Sequence, residues 1–91
     1  MIKQTSIMFL REQAMIRIPV DFNAMNKAGT HVWINTKIHA TLIDVLKPDM
    51  RVILYESHDM QVEATIEIEE NRDGIKTWYG VADWSTRKDL D

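Results

Sequence analysis

The sequence predicts a mainly β fold, a small antiparallel five-stranded SH3-like barrel or strongly bent sheet with one short helix at about residues 37–46. Three observations carry this. Residues 61–70 alternate strictly, with Val62, Ala64, Ile66 and Ile68 on one side and Gln61, Glu63, Thr65, Glu67 and Glu69 on the other, the pattern of a strand with one dry and one wet face. Two similar apolar runs, 50–56 and 75–82, flank it. The connections Ser57-His58-Asp59 and Asn71-Arg72-Asp73-Gly74 are short, so consecutive strands here have to be antiparallel neighbours.

The N-terminal part adds two strands. Ala14, Ile16, Ile18 and Val20 alternate with Met15, Arg17 and Pro19. Pro19 has no N–H to donate, which assigns this strand to a sheet edge. Asn26-Lys27-Ala28-Gly29 reads as a turn, and His31–Asn35 as a short strand. In 37–46 helix and strand signals compete. Ile38, Leu42, Val45 and Leu46 recur at helical spacing, Asn35 or Thr36 is a possible cap, and the β-branched residues argue the other way. The helical reading is preferred, ending before a turn in which Pro48 presets φ and Asp49 takes the next position.

At 91 residues the chain is one domain. The expected division is an N-terminal arm or extra edge segment over 1–13, the β domain over 14–84 and a polar tail over 85–91. Within that tail, Ser85 could cap a single helical turn. With no cysteine, disulfides, thiolate metal sites and cysteine nucleophiles are excluded. No segment is apolar enough for a signal peptide or a membrane span, and a cytoplasmic location is expected.

Charge excludes further classes. The net charge is −3, and residues 51–91 hold five basic and ten acidic side chains. Nucleic-acid binders need clustered Lys and Arg for phosphate contact, so nucleic acid is a disfavoured partner. No glycine-rich phosphate loop or nucleophile elbow is present, and Ser57-His58-Asp59 is too contiguous to converge as a catalytic triad. No catalytic residue, cofactor or metal site is expected. The carboxylates of Glu63, Glu67 and Glu69 on one strand face lie about 7 Å apart per two-residue step, too far for one ion unless another element brings a ligand. His31, His39 and His58 lack helical metal-site spacing.

The remaining signal is aromatic. Trp33, Trp78, Tyr79 and Trp84 are four of seven aromatic residues. Trp78 and Tyr79 are adjacent in a strand, so one ring faces inward and the other outward. The outward ring, with Trp33 and Trp84, would form a shelf for a partner, with Glu63 and Glu67 as electrostatic complement. The competing reading puts the tryptophans in the core. The expected function is a non-catalytic interaction module that binds a protein partner or self-associates. A nucleic-acid-associated barrel and an accessory subunit of an enzyme are the alternatives.

Overall fold

The computed structural model describes residues 15–26, 28–37 and 44–90. Six strands, β1 (Arg17–Pro19), β2 (Met25–Asn26), β3 (His31–Ile34), β4 (Arg51–Glu56), β5 (Met60–Glu70) and β6 (Lys76–Asp89), form one sheet in the order β1-β4-β5-β6-β3-β2. The mainly β class is as expected, but the details differ. Among the described residues there are six strands, because Met25 and Asn26 pair with β3. The sheet is mixed: β1 runs parallel to β4, with Arg17 opposite Ile53 and Pro19 opposite Tyr55.

The sheet is also not a closed barrel. β1 and β2 are its two edges and do not pair with each other. It is nevertheless strongly bent. Six strands laid flat would hold their edges about 24 Å apart, five spacings of about 4.8 Å. Only residues 20–24 separate β1 from β2, and that link spans at most about 21 Å fully extended. The edges must therefore curl toward each other.

A second contact shows the same bend. Leu54 on β4 and Gly80 on β6 are separated by β5 and sit opposite Val62 and Ile66, four residues apart along that strand. Yet a Cβ on Gly80 would lie 2.6 Å from Leu54 Cδ1, 3.1 Å from its Cδ2 and 3.2 Å from Ala64 Cβ. The glycine is where the concave wall closes on a leucine from two strands away.

The concave face is the core. Ile18, Val32, Ile34, Val52, Leu54, Val62, Ala64 and Ile66 are buried there, and Phe22, Leu46 and Met60 join them from the connections and a strand end. The period-two register expected for residues 61–70 holds, since Val62, Ala64 and Ile66 all point inward. Ile53 breaks the pattern. It is buried but belongs to the convex row formed with Arg17 and Glu63, outside the core cluster.

Local signals for turns proved reliable. Gly74 has φ +77°, the left-handed conformation expected of it, and Asn71 Oδ1 accepts the N–H groups of Asp73 and Ile75 at 2.9 and 3.0 Å. Met50 N–H donates to Lys47 C=O across Pro48-Asp49, with Asp49 at φ 69°. Pro19 lies on an edge strand as its missing N–H requires; flanking β1, Ile53 N–H donates to Ile16 C=O and Val20 N–H donates to Tyr55 C=O, at 2.9 Å each.

The helix expected at 37–46 falls mostly on residues 38–43, outside the described residues, as does the arm at 1–13. Lys37, Asp44 and Val45 are turn residues, and no helix occurs among the described residues. The strand expected to end at Ala82 continues to Asp89, so Ser85 lies in a strand and not at a helix start. β6 reaches that length through a bulge. Glu63 pairs with Asp83 but Gln61 pairs with Lys88, two steps on β5 against five on β6. The Thr86 hydroxyl bridges the irregularity, accepting the Glu63 N–H at 2.8 Å and donating to Asp83 C=O at 2.7 Å. Beyond it, Leu90 N–H donates to Asp59 C=O at 2.8 Å, which ties the end of β6 to the β4–β5 turn.

Candidate functional site

Strand register settles which aromatic rings face out. Ile34, Trp78 and Ile68 share one row across β3, β6 and β5, and the next row holds Trp33, Tyr79 and Glu67. Trp78 lies on the concave side and packs against the core. Tyr79 lies on the convex side directly opposite Trp33, which is 45% exposed. Asn26 Nδ2 donates to the Tyr79 hydroxyl at 3.4 Å, so β2 steadies the tyrosine.

Trp84 does not join that shelf. Two residues beyond Ala82, its ring falls on the concave side by alternation, where it packs against Phe22 with centroids 6.2 Å apart. Its indole N–H donates to Gly29 C=O at 2.9 Å. Trp84 thus ties β6 to the β1–β2 link and the β2–β3 turn, which is a structural duty. Of the four aromatic residues singled out in the sequence, the structure brings Trp33 and Tyr79 together outside and holds Trp78 and Trp84 within.

The glutamates divide into two groups on the convex face. Glu63 accepts a hydrogen bond from Arg51 Nε at 3.1 Å, and Arg51 Nη2 donates to Asp83 Oδ2 at 2.6 Å. One guanidinium thus spans β4, β5 and β6, and its two carboxylate partners hold it firmly in the charged form. At the other end of the face, His31 from β3 reaches across β6. Its Nε2 lies 3.2 Å from Glu67 Oε2, and one ligand atom each from His31, Glu67 and Glu69 lie within 4.8 Å of one another. The His31 ring meets Tyr79 edge-on, with centroids 5.7 Å apart, and its Nδ1 shares a 2.8 Å hydrogen bond with the Thr30 hydroxyl.

The sequence identified Glu67, Trp33 and Tyr79 but not the convergence of His31 on Glu67 and Tyr79. Only the β3–β6–β5 neighbour relation provides it, and no local pattern encodes that order. Asp83 and Arg51 were also missed, being unremarkable singly.

Asp83 has a consequence for acid stability. The hydrogen bond from the Ser85 hydroxyl, and then that from Arg51, hold its carboxyl below the usual carboxylate range. A carboxyl whose folded pKa is depressed contributes stability that is complete above its unfolded pKa and lost as the pH falls through the folded one. Asp83→Asn should therefore flatten the acid limb of stability against pH, with urea midpoints measured from about pH 6 to pH 2. An unchanged acid limb would assign the acid dependence to other carboxylates.

Compared with known protein families, characterised proteins and solved structures, the chain matches none. Among the described residues no helix is long and apolar enough to cross a membrane.

Proposed function

We propose that this protein is a non-catalytic interaction module, and that the convex face of β3, β6 and β5 receives a basic side chain of a protein partner. The observation that carries the reading is the row Trp33–Tyr79–Glu67. Two aromatic residues occupy paired positions on neighbouring strands with a carboxylate next in the row, on a surface where Trp33 is one of the few large exposed apolar side chains among the described residues. A lysine or arginine laid across such a row gains cation–π attraction from the rings and a charge partner at its end.

The edges of the sheet favour face binding over strand addition. β1 has three residues and Pro19, and β2 has two residues, both devices that blunt an edge. Glu67 and Glu69 beside the shelf repel phosphate, which weighs against the nucleic-acid alternative.

The test is a titration of the protein, in buffer with EDTA, against matched peptides carrying Lys and Arg or Asp and Glu, followed by tryptophan fluorescence. Basic peptides should bind and acidic ones should not. Trp33→Ala should weaken binding at least tenfold at a stability cost of about 1–3 kcal/mol, since roughly half of the ring is buried, with near-UV circular dichroism confirming that the variant is folded. Equal binding of both peptide sets, or unchanged affinity in Trp33→Ala, would remove the reading. Concentration-dependent sedimentation of the free protein separates self-association from partner binding on this face.

A further inference from the structure

The sequence argues against a metal site because one strand cannot gather its own carboxylates. In the folded chain another strand supplies the missing group. We propose that His31, Glu67 and Glu69 bind a divalent first-row transition ion, with zinc the preferred occupant.

The geometry is close to what such an ion requires. Zinc bonds to imidazole nitrogen and carboxylate oxygen are about 2.0–2.2 Å long, which sets neighbouring ligand atoms about 3.0–3.5 Å apart in tetrahedral or octahedral arrangements. His31 Nε2 and Glu67 Oε2 are already 3.2 Å apart. The full set spans no more than 4.8 Å, a difference that small rotations of a glutamate side chain close. Glu67 and Glu69 point to the same side because they are two apart on β5, and His31 comes from β3 across the intervening β6.

The histidine is set up as a ligand. Its side chain is 12% exposed, and the ring is fixed by the edge contact with Tyr79. An ion that displaces the proton shared between Nε2 and Glu67 would meet a ring whose Nδ1 is already in hydrogen-bond contact with the Thr30 hydroxyl, which can accept from Nδ1–H. A ligating histidine is ordinarily oriented in this way by a partner on its second nitrogen. Glu67 is 43% exposed, so water has room to complete the coordination shell, as in sites with three protein ligands and an open position. An imidazole nitrogen in the donor set favours zinc, nickel or copper over magnesium and calcium, which prefer oxygen alone.

The proposal does not rest on the partner-binding reading, and its test uses the isolated protein. EDTA-treated full-length protein is titrated calorimetrically with zinc chloride, and separately with magnesium chloride. The imidazole resonances of His31 are followed by NMR. Zinc should bind one to one, shift the His31 ring signals and raise the melting temperature, whereas magnesium should do none of these. Glu67→Gln and His31→Ala should each weaken zinc binding at least tenfold, Thr30→Val should weaken it about tenfold through ring orientation, and Glu63→Gln, whose carboxylate serves Arg51, should leave it unchanged. Near-UV circular dichroism identifies a variant that has lost its fold, and in that case Glu69→Gln takes its place with the same expected loss. No zinc-dependent shift at His31, or equal affinity in His31→Ala and the unsubstituted protein, or equal affinity for magnesium would overturn the site.

Discussion

Leu54→Ala is expected to lower stability by about 2–5 kcal/mol, and Gly80→Ala by about 1–3 kcal/mol. The double variant should lose clearly less than the sum. Leu54 is fully buried, so its truncation removes the transfer free energy of the side chain and leaves a cavity. At Gly80 the problem is reversed. An added Cβ would meet Leu54 Cδ1 at 2.6 Å and Ala64 Cβ at 3.2 Å, closer than carbon atoms pack, so the fully buried leucine has to shift within a packed core. Removing the δ methyls makes room for the alanine, so the two substitutions are coupled through one volume. Urea unfolding of the two single variants and the double variant measures the coupling directly. Strict additivity would mean that β4 and β6 do not meet over β5, and with it the bend of the sheet would fall.

Trp84→Ala should cost about 2–4 kcal/mol, somewhat below the range for a fully buried tryptophan because the ring packs against the core but keeps some exposure. Trp84→Phe isolates the indole N–H. It keeps an aromatic ring for Phe22 and strands the Gly29 carbonyl, so a loss of about 1 kcal/mol is expected from the hydrogen bond alone. The same pair of variants bears on function. If Trp84 belonged to the binding shelf, Trp84→Phe would impair peptide binding as Trp33→Ala does. The prediction is that Trp84→Phe binds normally. Reduced peptide affinity in a stable, folded Trp84→Phe protein would place Trp84 in the site after all.

What could be read from the chain was what is encoded locally. The alternation in residues 61–70, the two hairpin connections, Gly74 at positive φ and Pro19 on an edge all depend on a residue and its near neighbours. What escaped depends on partners far along the chain. The parallel pairing of β1 with β4 joins residues 36 positions apart, and an apolar alternation looks the same whichever way its neighbour runs. β2 is two residues long, too short for any periodic signal. The barrel expectation came from five short strands in sequence, a pattern shared by an open bent sheet, because closure depends on whether the edges bond and not on how many strands there are.

The continuation of β6 was hidden by composition. Asp83-Trp84-Ser85-Thr86-Arg87-Lys88-Asp89 looks like a polar tail, and its strand character comes from the Thr86 bridge across the bulge and from pairing beyond it. At the candidate site the split was similar. The pairing of Trp78 with Tyr79 on opposite faces was legible, but which ring faced out needed the register. The clustering of His31 with Glu67 and Glu69 needed the strand order.

The strand order also has a consequence for how the chain acquires its structure. β4, β5 and β6 form a contiguous meander whose hairpin turns close over a few residues each, so the entropic cost of each closure is small. The pairings of β1 with β4 and of β3 with β6 instead join residues about 36 to 50 positions apart. This topology predicts that the β4–β6 meander assembles first and offers two free edges, with β1 docking on β4 and β3, carrying β2, docking on β6. During synthesis β1, β2 and β3 therefore leave the ribosome before the strands they pair with through β4 and β6, and on this topology their docking is expected to wait for those later strands.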